Sequence, residues 1–228
     1  MILIVLVVIA AIALVAVPEM WIHSTIERYA GERADLGGTG AEFARHVLDG
    51  MKLANVKVEV TEQGDHYDPE ARAVRLQPRF FNGKSVSAIA IAAHEVGHAM
   101  QHALALPMFE RRLTATRHAR MLGILAQACL WSAPLLMALE KSAAGLILNL
   151  VGFAGTILVS LALQLTTLPV EFDASFNRAL PLLEQGRFLR PSDLAGARQL
   201  LRAAAFTYVA ALLRSVLIVP GLGRIPRL

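Results

Sequence analysis

The sequence predicts a mainly α-helical membrane protein with three or four transmembrane helices and one small α+β domain. Composition is the first reason. Of 228 residues, 55% are hydrophobic and 18% charged, where an ordinary soluble domain has about 45–50% and 25%. Distribution is the second. Met1 to Pro18, Met121 to Leu139 and Ser142 to Val170 carry no charge, and about 18 apolar residues in a row suffice for a span. The third is a single long polar stretch, 19–118, whose pattern alternates between helical and strand periods.

The first block, 1–18, reads as an N-terminal transmembrane anchor rather than a cleaved signal. Nothing before Glu19 is charged and no clear small-x-small site follows, whereas a secretory signal has a basic start and such a site. Pro18 and Trp21 mark its interfacial end, where aromatic rings prefer to sit.

Residues 19–118 form the first part of a soluble domain. Glu27 to Gly50 has helical spacing through Ala41, Phe43, Ala44, Val47, Leu48 and Met51, and Gly37, Gly38 and Gly40 divide it in two. Val56, Val58 and Val60 alternate with Lys57 and Glu59, the period of a half-buried strand. Gly64 to Pro69 is turn-rich, and Ala73 to Gln77 is a second strand, ended by Pro78. Its place before an apolar helix suits an edge strand that pairs with an extended peptide. Ser85 is the expected N-cap of that helix, which runs from Val86 through His102 toward Pro107.

Segment 119–168 is a transmembrane hairpin, turning at Glu140 and Lys141. Gly145, Gly152 and Gly155 would let its helices approach closely. Segment 169–202 is a second polar part. Its first helix is expected over Leu168 to Gln185, starting near Pro169, stopping at Gly186, and kinked or shortened by Pro181. Segment 203–220 is a fourth span or a membrane-associated helix, because Arg214 sits near its middle, where a charge costs several kcal/mol. The hairpin returns 118 and 170 to one membrane face. Arg111, Arg112, Arg117 and Arg120 lie at its entry, and Arg178, Arg187, Arg190, Arg198 and Arg202 beyond its exit. Positive charge marks the cytoplasmic side, so the expectation is a multi-pass protein of the inner or plasma membrane with its polar domain in the cytoplasm.

Twenty-two bases against eighteen acids leave a net charge of +4. The basic residues form no dense run interleaved with aromatics, so nucleic acid is not an expected partner. The single cysteine, Cys129, cannot form an intrachain disulfide, which fits a reducing compartment.

The chemistry concentrates in His94-Glu95-Val96-Gly97-His98. Residues four apart share a helix face, so both imidazoles can reach one ion with Glu95 beside them. The flanks Ala88 to Ala93 and Ala99-Met100 would bury the helix, and burying two imidazoles and a carboxylate without a partner is costly. A catalytic zinc site takes three protein ligands and keeps a fourth position open. The glutamate between the histidines then suits a general base. His102 repeats the spacing but sits two turns, about 12 Å, from His94, too far to share the ion, and is placed around the site or on the surface. Glu171 and Asp173, returned by the hairpin to the same side, are the candidate third ligands.

These residues resemble the YugP-like membrane zinc metallopeptidases, also called neutral zinc metallopeptidases. The similarity lies in Asp65-His66-Tyr67-Asp68-Pro69, Val74-Arg75-Leu76, Ala92 to His102, Glu171-Phe172-Asp173-Ala174-Ser175 and Ala203 to Leu213 with Thr207-Tyr208-Val209. It runs through most of the chain in order. The resemblance implies a zincin-like catalytic domain of the gluzincin type, with zinc held by His94, His98 and Glu171, and Glu95 as base. Related HtpX-like and CAAX-prenyl endopeptidases carry E-x-x-A-D, whereas Ser175 stands here at the fifth position. The role of that aspartate would then fall to Ser175, Asp173 or a water. Tyr67, His66, Asn177 and Arg178 are candidates to stabilise an oxyanion.

The expected activity is zinc-dependent endopeptidase cleavage of an extended peptide or a partly unfolded membrane protein at the bilayer. A site-2-type intramembrane protease is a competing expectation. Its downstream L-D-G motif has no counterpart, because Leu48-Asp49-Gly50 lies upstream of the histidines. A membrane scaffold or chaperone with a structural zinc, closed by Asp173 or His66, is another, but a closed site has no use for Glu95.

Overall fold

A computed structural model describes residues 2–140, 143–186 and 188–217. Lys141 and Arg187, named above, lie outside them. The chain is mostly helical, with one three-stranded sheet.

Helix α1, Ile2–Arg28, continues through Pro18 and so carries the expected anchor ten residues further. The helical spacing expected from Glu27 does not resume until α2, Gly40–Gly50. Between them the backbone bonds elsewhere: Arg33 N donates to Lys84 O at 2.8 Å and Gly40 N to Gly83 O at 3.1 Å. Thr39 then starts α2 with a reciprocal cap, its hydroxyl accepting from Glu42 N while its own N–H donates to the Glu42 carboxylate.

The strands are β1, Lys57–Val60, β2, His66–Asp68, and β3, Ala73–Leu76, in the order β1-β3-β2. β3 runs parallel to β1 and antiparallel to β2. Two corrections follow. His66 to Asp68, within the expected turn, is a strand. Ala73 to Leu76 is the central strand rather than an edge, so both its hydrogen-bonding sides are taken by β1 and β2 and none is left for a peptide. The extra strand was hidden because Asp65, a turn-forming residue, is buried here and accepts from the Gln77 backbone N–H at 2.7 Å and its side-chain amide at 2.8 Å.

After the short α3, Pro78–Phe81, Ser85 caps α4, Val86–Ala103, by accepting from Ala88 N. α4 is the axis of the molecule. Every residue from Val86 to Ala99 is buried, enclosed by α2, α3, β2, β3 and the helices of the second half. Such all-round burial explains why it is alanine-rich: small side chains let several neighbours approach one helix.

Helices α5, Pro107–Glu140, and α6, Ala143–Phe172, form the hairpin. α5 begins within the segment assigned to the polar domain, and α6 passes through Pro169 without a break. It continues as a π-helical stretch, Asp173–Ala179, and then α7, Leu180–Gln185. The boundaries expected at 118/119 and 168/169 therefore fall inside helices. Pro181 sits in the first turn of α7, where a missing N–H is tolerated. α8, Pro191–Leu217, is likewise one helix across the boundary expected at 202/203, and it packs on α1, α6 and α4.

The hairpin turns apolar side chains outward. Met121, Leu122, Ile124, Leu125 and Trp131 on α5, with Leu146, Ile147, Leu150, Val151 and Leu158 on α6, are exposed. Among the described residues, one helix, Gly145–Gln185, is long and apolar enough to cross a membrane. Gly152 sets the helix approach, since a Cβ there would meet Ala126 O at 2.9 Å and Cys129 Cβ at 3.0 Å.

Gly97 does the same between α4 and the π-helical stretch. A Cβ at this position would lie 2.9 Å from Ala174 O, and that contact is backbone. Helix propensity alone would make Gly97→Ala stabilising by about 1 kcal/mol. The overlap is expected to reverse the sign and destabilise by about 1–3 kcal/mol, read as a lowered thermal midpoint in mild detergent. A raised midpoint would show that the two helices can move apart at no cost.

Candidate metal centre

α4 places His94 and His98 one turn apart, and the last turn of α6, which carries Glu171, faces them. His94 Nε2 lies 3.2 Å and His98 Nε2 3.3 Å from the same oxygen, Glu171 Oε2. The three donor groups come within 4.8 Å of one another, and each residue is buried. Glu171 was one of two candidate third ligands. The other, Asp173, is turned to a different task.

That task concerns the histidine rings. Gln101, wholly buried one turn after Gly97, donates its two amide hydrogens to Val170 O at 2.8 Å and Asp173 Oδ2 at 2.9 Å. Acceptors on both sides fix the amide orientation, so Gln101 Oε1 faces His98 Nδ1 at 2.9 Å and must accept from it. With the proton on Nδ1, His98 Nε2 presents a bare lone pair toward Glu171 Oε2. His94 Nδ1 is held in turn by Ser175 Oγ at 3.1 Å. Ser175 thus contacts His94 directly, and Asp173 reaches His98 through Gln101.

Asn177 and Arg178 hold Asp173 in place, donating to its oxygens at 2.9 and 3.2 Å. Arg178 does so through Nε. His66 Nδ1 lies 2.8 Å from Gly64 O, on the loop before β2. Tyr67, from β2, meets His102 Nδ1 through its hydroxyl at 2.9 Å. The His102 ring stacks on Phe109 of α5, with centroids 5.4 Å apart. His102 is therefore part of an aromatic wall beside His98 rather than of the donor cluster.

Glu95 is 2% exposed. Burial pushes its carboxyl up to about 8, assisted by the negative charges of Asp65 and Glu171, against the pull of His94 and Arg112. It is a carboxylate with an unusually strong hold on a proton.

Three residues of the site were not singled out from sequence. Gln101 lay within a recognised stretch, and its spacing of three from His98 was the available signal. Arg112, from α5, places Nη1 2.9 Å from Glu171 Oε1; it was read only as one of several interfacial arginines. Tyr208, from α8, faces the Glu171 carboxylate. Tyr208 lay in the recognised Thr207-Tyr208-Val209 stretch, but spacing alone does not indicate contacts between such distant helices.

The donor set fits a metal ion. With a neutral His98 whose proton sits on Nδ1, its Nε2 and Glu171 Oε2 face each other as two acceptors, an arrangement that a cation would satisfy. Two imidazole nitrogens and one carboxylate oxygen are the ligand types of a catalytic zinc site. An H-E-x-x-H helix completed by a carboxylate from a second helix gives the protein a buried donor cluster able to hold a metal ion. The chain belongs to the neutral zinc metallopeptidase family, whose model, described as "putative neutral zinc metallopeptidase", matches residues 3–222. It is also 40% identical over 218 residues to the "putative membrane protease YugP" of Bacillus subtilis (strain 168), covering 91% of this chain and 89% of that protein. No solved structure matches it.

Proposed function

We propose that this protein is a multi-pass membrane endopeptidase that uses zinc held by His94, His98 and Glu171. The observation that carries this reading is the convergence of both imidazole Nε2 atoms on Glu171 Oε2, beside a buried Glu95. Bound zinc supplies Lewis acidity, which polarises a peptide carbonyl and makes water acidic enough to deprotonate near neutral pH. Glu95, buried beside these donors, would accept the proton of such a water and return it to the departing amine. Ser175 and the Asp173–Gln101 pair hold the imidazoles with Nε2 forward.

With β3 enclosed, an extended substrate pairs at β2, the edge strand whose Tyr67 reaches across to α4. The substrate is a peptide or a partly unfolded membrane protein. The outward apolar faces of α5 and α6 support a bilayer around the hairpin, and the name of the Bacillus relative agrees. With α1 and α8 the spans would number three or four. The arginine distribution favours the catalytic side in the cytoplasm of a cell-membrane protein.

Protein purified in mild detergent without chelator should carry about one zinc per chain. It should cleave an unfolded protein such as casein, lose that activity on chelation, and regain it with zinc. A folded, metal-free protein that takes up no zinc when it is supplied would sink the reading.

A further inference from the structure

Four arginines lie in the first turns of α5, and three of them, Arg111, Arg117 and Arg120, are exposed. Arg112 alone turns inward, its side chain 26% exposed, and ends on the fully buried Glu171. The two carboxylate oxygens are thereby given different neighbours. Oε2 faces both histidines, whereas Oε1 has the Arg112 guanidinium at 2.9 Å and no directed hydrogen bond. A carboxylate can bind zinc through one oxygen or both. Binding through both would crowd the position that the attacking water must take.

We infer that Arg112 is a positioning residue of the metal centre: by holding Oε1 it makes Glu171 a one-oxygen ligand and keeps a coordination position free. This rests on the zinc reading proposed above. Arg112 is the one permanent cation that contacts Glu171 among the described residues. It therefore fixes the carboxylate both before and after the ion arrives. Its partial exposure puts it at the rim of the site, so the clamp comes from α5, which carries none of the three ligands. A merely charge-neutralising arginine would affect how firmly zinc is held but not how many oxygens hold it.

The test uses full-length, zinc-loaded protein in detergent, with wild type, Arg112→Met and Arg112→Lys compared by zinc-edge X-ray absorption and by competition with a chelator of known affinity. Wild type should show a single carboxylate oxygen on zinc. Arg112→Met should gain a second and bind zinc about 10–100-fold more weakly. Arg112→Lys should return toward the wild-type spectrum, because it restores a permanent cation beside Oε1. Unchanged coordination in Arg112→Met overturns the inference. So does a wild-type site bound through both oxygens, which keeps the test decisive even if the methionine variant fails to fold. Absence of zinc from the wild type would instead overturn the parent reading, and this inference with it.

Discussion

Glu95→Gln is expected to lower proteolysis by about 10²–10⁴-fold, the usual contribution of a positioned general base, while zinc content stays at the wild-type level. The substitution keeps the shape of a side chain that is 2% exposed and is not one of the three donors in the cluster. It removes only the oxygen that accepts a proton. The two readouts must be taken together. A loss of both activity and metal would make Glu95 part of the binding site rather than the base. Retained activity with zinc present would assign proton transfer to another group. Burial also favours tolerance of the change, because a neutral amide avoids the desolvation that raises the native carboxyl.

Glu171→Gln is expected to have the largest effect on the metal. It replaces the anionic ligand by an amide of the same size, and zinc affinity should fall by more than the roughly 10–100-fold typical of losing a partner residue around a site. No described neighbour is placed to substitute. Asp173 is engaged by Gln101, Asn177 and Arg178, and His102 is committed to Tyr67. Equilibrium zinc binding at matched folding, judged by gel filtration, reads the result. Full zinc occupancy in this variant would remove Glu171 from the ligand set and move the search to the acids nearby.

Local chemistry was legible in the sequence. The alanine-rich helix with its Ser85 cap was readable because capping and period depend on neighbours a few residues apart. The His94–His98 pair followed from the helical repeat alone. Glu171 was one of two acids two residues apart, and the resemblance separated them. Spacing could not, because the chain enters a π-helical stretch at Asp173, where residues per turn change and face assignments drift. The edges of the elements were less legible. Pro18, Pro169 and Pro181 suggested helix ends, yet α1 and α6 run through the first two and α7 opens on the third. Proline does not terminate a helix whose remaining surface is firmly packed or apolar. β2 escaped notice because three residues with polar ends show no alternation. Arg112 was invisible as a site residue for another reason. Its partner is 59 positions away on the other arm of the hairpin, and only the packing of α5 beside α6 brings the two together.

The unbroken passage from α6 into the site has a mechanical meaning. Three residues, roughly 4.5 Å of helix rise, separate Leu168 at the end of the apolar stretch from Glu171. No loop intervenes to absorb displacement. The third ligand therefore rides on a rigid rod whose far end is set by its surroundings, while both histidines belong to a helix enclosed in the polar domain. Were α6 to span a bilayer as proposed, its tilt, the ordinary response of a helix to a thicker or thinner hydrocarbon layer, would bear on the gap between carboxylate and imidazoles. The centre is built as a caliper with one jaw fixed in protein and the other carried by the apolar helix.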